Sequence, residues 1–189
     1  MDQAHGILDR PTEDVDLFTA WVRRSEFATA VDAVVATYVE HGYSVVVAQR
    51  FDTFARLAVT DPAAADHPYK VELAANWRAL PPVTMSVGPV LHPDDVIAGK
   101  MSAPFTRAEP RDFLDVDAAI TSGRYSRDRL CELAEQTDAG FDRRILADLF
   151  GVLGRYPDRR FAAYGVSATR IADMRGRYAD WRIRLLAEA

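Results

Sequence analysis

The feature that most limits how this chain can fold is a change of hydrophobic period at Pro93. Upstream, short apolar runs are broken by turn residues; downstream, apolar residues recur every three or four positions almost to the end. Period two marks a strand and period 3.6 a helix, so the two stretches differ in element type. Residues 15–22 read as a strand running into a turn. Ser25 stands where a helix N-cap would, ahead of Phe27, Val31, Val34, Val35 and Tyr38 at helical spacing, with Gly42 as the stop. Three β-rich runs follow at 43–49, 54–60 and 69–74, separated by Asp52, Asp61, Pro62 and Pro68. Pro81 and Pro82 open a loop, and 83–90 reads as a further short strand.

From Pro93 the pattern predicts helices over 93–106, 110–121, 127–136, 142–153 and 168–187. Pro93 suits a first helical turn, Asp94 and Asp95 favour its dipole, and Ser126 caps the third helix. The last segment sets Ile171, Met174, Tyr178, Trp181 and Leu185 on one stripe. The predicted fold class is α+β: a small mixed β-sheet with helices, followed by an all-helical C-terminal lobe.

Composition narrows the function classes. The 189 residues carry net charge -5, which excludes a wholly basic nucleic-acid coat. The charge is uneven: residues 1–123 hold 10 basic and 18 acidic side chains, and 124–189 hold 13 and 10. Cys131 is the single cysteine, so an internal disulfide and a cysteine zinc cluster are excluded. The histidines His5, His41, His67 and His92 have no metal-ligand spacing. No apolar run is long enough to span a membrane and the N-terminus lacks a signal-peptide core, so the expectation is a cytoplasmic protein. Of the 23 basic residues only Lys70 and Lys100 are lysine.

The sharpest local string is Arg10-Pro11-Thr12-Glu13-Asp14-Val15-Asp16. Two carboxylates at i and i+2 of a strand share a face and can hold Mg²⁺, a hard cation that prefers oxygen. With 20 Asp in the chain, about two such pairs arise by chance, and there are two, Asp14/Asp16 and Asp115/Asp117. The pair taken alone reads equally as a solvated turn. Three neighbours add weight. Glu72 lies inside an apolar strand. Lys100 sits on a helix beside Ile97, Met101 and Phe105. Asp112 falls in the first turn of the next helix, within Arg107-Ala108-Glu109-Pro110-Arg111-Asp112-Phe113-Leu114-Asp115. Each has an ordinary alternative: an edge-strand acid, a surface lysine, a charge complementing a helix dipole.

Arg-x-Thr-x-Asp-x-Asp, a strand acid, then Lys and Arg-x-x-x-Arg-Asp-x-x-Asp resembles the AbiEii/MenT nucleotidyltransferases, toxins of type IV toxin–antitoxin modules in the polymerase-β-like superfamily. The resemblance covers about residues 7–120. It implies a nucleotidyltransferase core over 1–90 and a helical lobe over 91–189 carrying the Lys and Arg-Asp motifs. It implies that Asp14, Asp16 and Glu72 bind Mg²⁺ or Mn²⁺, and that Lys100 contacts the phosphates of an NTP substrate. Asp112 matches the acid of the last motif, and Arg10 and Thr12 match positions beside the metal pair. Asp14, Asp16, Lys100 and Asp112 form the expected catalytic set. The implied acceptor is the 3′ end of tRNA and the implied partner a cognate antitoxin. Arg170, Arg177 and Arg184, spaced by seven along the last helix, are the candidate RNA-facing residues, with snorkelling core-edge arginines as the alternative.

The sequence departs from the family in one respect. The family carries a Gly-Gly or Gly-Ser turn shortly before Asp-x-Asp, whose backbone amides cradle phosphate. Only Gly6 precedes Asp14 here. The expectation is a chain lacking that N-terminal element. The rival reading is a degenerate transferase fold acting by binding an antitoxin or another partner.

Overall fold

The computed structural model describes residues 14–64 and 66–188. Contacts divide them between Ala79 and Leu80 into two compact units.

The first unit is a four-stranded sheet covered on one face by a helix. Strand β1 (Asp14–Ala20) leads through a 3₁₀ segment (Trp21–Glu26) into α1 (Phe27–Glu40). Then come β2 (Ser44–Arg50), β3 (Phe54–Thr60), a short 3₁₀ turn (Pro62–Ala64) and β4 (Tyr69–Asn76). The sheet order is β1-β4-β3-β2, with β1 parallel to β4 and the other pairs antiparallel. Alternation along β3 and β4 sends Ala55, Leu57, Val59, Val71 and Leu73 to one face, where they bury Phe27 and Val31 of α1. The opposite face therefore receives Arg56, Lys70 and Glu72. Residue Ser25 is not the helix cap that the sequence predicts. It lies inside the 3₁₀ segment, which passes straight into α1, and Glu26 at the junction makes no side-chain cap.

The second unit opens with a hairpin, β5 (Val83–Met85) and β6 (Gly88–Val90), where the sequence predicts one strand. Gly88 has φ 107°, a turn conformation that breaks the run in two. Six helices follow: α2 (Pro93–Thr106), α3 (Pro110–Thr121), α4 (Arg127–Thr137), α5 (Arg143–Leu153), the four-residue α6 (Arg159–Ala162) and α7 (Ala168–Glu188). The Ser126 cap follows the sequence. Ser126 accepts from the Arg129 amide at 3.1 Å, and Asp142 accepts from the Arg144 and Ile145 amides at 2.7 and 3.0 Å. The predicted α7 stripe is the buried one, and it packs with Phe113, Leu146 and Phe150. Phe150 lies 4.6 Å from the Tyr178 ring and 4.9 Å from Trp181, and the Tyr178 hydroxyl donates to the Phe113 carbonyl at 2.7 Å. This gives the buried phenol of the aromatic cluster a partner. The α+β class expected from the sequence is the class observed. Among the described residues, no helix is long and apolar enough to cross a membrane.

Candidate active site

In the first unit the site is a product of register. Parallel pairing sets Asp14 beside Lys70 and Asp16 beside Glu72, while antiparallel pairing sets Arg56 beside Glu72. Neighbours in register share a face, so among the described residues three carboxylates and two cations lie on the side of the sheet away from α1. The Lys70 ammonium lies 3.0 Å from Asp14 Oδ2 and 3.6 Å from Glu72 Oε1. Arg56 grips the same Glu72 Oε1 through Nε at 2.7 Å and Nη2 at 2.6 Å. Asp16 makes no ion pair or side-chain hydrogen bond among the described residues. Its carboxyl is held above the usual range, first by burial, then by the charge of Glu72 and, less, of Asp14; Lys70 opposes the shift.

The donor chemistry of this face suits a divalent cation. The donors are all carboxylate oxygens, which suits a hard ion. Among the described residues, however, no three Asp, Glu, His or Cys side chains converge as a ready-made cage. Lys70 sits between two of the acids. Arg10 and Thr12 lie outside the described residues.

In the second unit, α3 carries three buried acids in six residues: Asp112, Asp115 and Asp117. Each has its own cation. Asp112 is at the third position of α3, where its carboxylate turns back on the helix start. It accepts the Glu109 amide at 2.9 Å and is forked by Arg107 at 2.6–3.0 Å. This is a capping box reinforced by an arginine. Lys100, on α2, donates to Asp115 Oδ2 at 2.8 Å. The acid bonded to Lys100 is therefore Asp115, one helical turn past Asp112. Asp117 is forked by Arg177 at 2.7 and 2.8 Å.

That fork also bears on the candidate RNA-facing trio. Arg177 closes a buried pair within the unit. Arg184 grips Asp128 at 2.6 and 2.7 Å and Glu188 at 2.9 Å. Only the side chain of Arg170 is exposed and makes no ion pair among the described residues.

Sequence reasoning passed over two residues. Asp115 had a signal as the second acid of Arg-Asp-x-x-Asp, three residues past Asp112. Lys70 had one too, as one of two lysines in the chain and alternate in β4 with Glu72.

A family profile described as "Nucleotidyl transferase AbiEii toxin, Type IV TA system" matches residues 2–186. No curated protein matches the chain. Among solved structures, JHP933 from Helicobacter pylori is similar at TM-score 0.56 and 14% identity, over 96% of this chain and 80% of that one. MenT4, the nucleotidyltransferase toxin Rv2826c from Mycobacterium tuberculosis H37Rv, aligns at TM-score 0.40 and 16% identity, over 76% of this chain and 61% of that one.

Proposed function

The chain belongs to the AbiEii family of nucleotidyltransferase toxins of type IV toxin–antitoxin systems, and we propose that it transfers a nucleotidyl group from an NTP to the 3′ end of tRNA. The observation that carries this reading is the shared face of β1 and β4, where Asp14, Asp16 and Glu72 stand in register. These three would hold Mg²⁺ or Mn²⁺. Such an ion neutralises phosphate oxygens and assists an in-line displacement.

The chain's own residues supply the rest. Within the second unit Lys100 is held on Asp115, and the family resemblance gives it the role of a cation for the NTP phosphates. Fixing it in advance removes rotamer freedom that binding would otherwise have to overcome. Asp112 and Arg107 lock the start of α3 and so place Asp115. Arg10 and Thr12 would flank the nucleotide. Arg170 would meet acceptor phosphate. The acceptor hydroxyl bonds to the α-phosphorus, the bridge to the β-phosphate breaks, and pyrophosphate departs; the hydroxyl proton passes to a carboxylate of the same face. A tRNA so extended is unfit for aminoacylation, which would halt translation and growth until a cognate antitoxin intervenes.

Incubation with each α-labelled NTP, Mg²⁺ and total RNA tests the acceptor. Label should enter tRNA-sized RNA, and prior periodate oxidation of its 3′ ends should abolish it. Label on protein alone, or label indifferent to periodate, would overturn the tRNA assignment. Calorimetry that detects no metal-dependent NTP binding would favour the rival reading, a fold that only binds a partner.

A further inference from the structure

Lys70 has no part in the reaction as set out above, yet it occupies the centre of the acidic face. Its ammonium bridges a carboxylate of β1 and one of β4, at 3.0 and 3.6 Å. Arg56 is placed differently. Both of its contacts fall on Glu72 Oε1 from the β3 side, which leaves Asp14 and Asp16 untouched. From this geometry we infer that Lys70 is a resident counter-cation. It neutralises Asp14 and Glu72 when no nucleotide is bound, competes with divalent metal for them, and turns to the triphosphate when Mg–NTP enters. The inference rests on reading this face as the metal site.

The charge count explains why such a device matters. Among the described residues, Asp14, Asp16 and Glu72 contribute three negative charges and Lys70 and Arg56 two positive ones. A single positive charge within about 5 Å weakens a divalent ion by roughly tenfold even at the dielectric of water. A triphosphate supplies anionic oxygens that can take the ammonium from Asp14 at the moment the metal needs that carboxylate. Metal and nucleotide then bind cooperatively, and linkage requires each to tighten the other equally. Lys70 is thus a positioning residue that sets the order of assembly. The side chain is long, flexible and about two-fifths exposed, so it can make this exchange without backbone movement.

The test is Mn²⁺ binding to the full chain, read from the electron paramagnetic resonance of free Mn²⁺. Wild type is compared with Lys70→Met and Lys70→Gln, without nucleotide and with an α,β-methylene NTP. Without nucleotide, both variants should bind Mn²⁺ about tenfold more tightly than wild type. With the analogue present, that advantage should shrink or reverse, because the variants lose a phosphate contact. Thermal melts establish that each variant is folded, and Asp16→Asn, which should remove the tight Mn²⁺, establishes that the ion is at this face. Folded Lys70 variants that bind Mn²⁺ no more tightly than wild type would overturn the proposal while leaving the metal site intact. Absence of Asp16-dependent Mn²⁺ binding in every protein, with the analogue present, would overturn the metal site itself and the Lys70 proposal with it.

Discussion

Two acids three residues apart on α3 have different work, and the difference can be measured. Asp112 is bound to Arg107 and to the helix start, so Asp112→Asn should chiefly cost stability. Loss of one partner from a fully buried pair costs about 3–5 kcal/mol. The Arg107 side chain is 43% exposed and can recover water, so about 1–3 kcal/mol is expected in urea unfolding. Asp115 holds Lys100, so Asp115→Asn should lower kcat per folded molecule by about 10–100-fold. Equal turnover in Asp115→Asn and wild type would remove Asp115 from the site. This distinction was invisible in the sequence. Both acids belong to one motif, and only the tertiary placement of Arg107 and Lys100 separates them. The same holds for Arg177: its spacing from Arg170 and Arg184 is regular, but Asp117 on another helix decides that it is a structural cation.

Elements with a pure period were the most legible. The α7 stripe was readable because five apolar residues keep to one face over the helix, and all five are buried. Strand β3 was readable as a β-rich run bounded by turn residues. Ser25 misled because a cap signal says where a helix can start, not whether a 3₁₀ segment already precedes it. The hairpin at Gly88 was missed because three-residue strands leave too little pattern to see. The energetic weight of the α7 stripe follows from its packing. Trp181 stacks near both Phe150 and Tyr178 and is 1% exposed. Trp181→Ala should therefore destabilise the protein by about 3–5 kcal/mol, measured by denaturant unfolding. A loss well under 1 kcal/mol would show that the neighbours collapse freely into the vacated space.

Across the whole molecule, the acidic front and basic rear seen in the sequence mean less than their net charges imply, because many rear arginines are engaged by acids of the same unit. Three groups of the second unit hold their protons above the ordinary range. Burial pushes the Cys131 thiol from 9.0 up to about 11. Burial, then the hydrogen bond to Asp94, pushes the Tyr125 phenol from 10.0 up to about 12, and burial carries Tyr178 well above its ordinary value. Each group loses its proton more readily when unfolded, so the unfolded state binds fewer protons at high pH and stability must fall there. The contribution is complete below about pH 9 and is lost between pH 9 and 12. The urea midpoint should drop between pH 8 and pH 10.5; an unchanged or higher midpoint would contradict this. Over the same range the thiol should resist alkylation until the chain unfolds.

Asp14 and Asp16 stood out as a pair, and the family resemblance added Glu72 to them. The residue pattern alone did not give the parallel pairing of strands some fifty residues apart that sets all three on one face, because no local pattern encodes it. The reading that this face is where nucleotidyl transfer occurs is tested most directly by pyrophosphate release in the presence of Mg²⁺, NTP and RNA. Wild type should release pyrophosphate in step with label entering RNA, and folded Asp14→Asn and Asp16→Asn should each be slower by about 100-fold or more. Release by either variant at the wild-type rate would contradict the account.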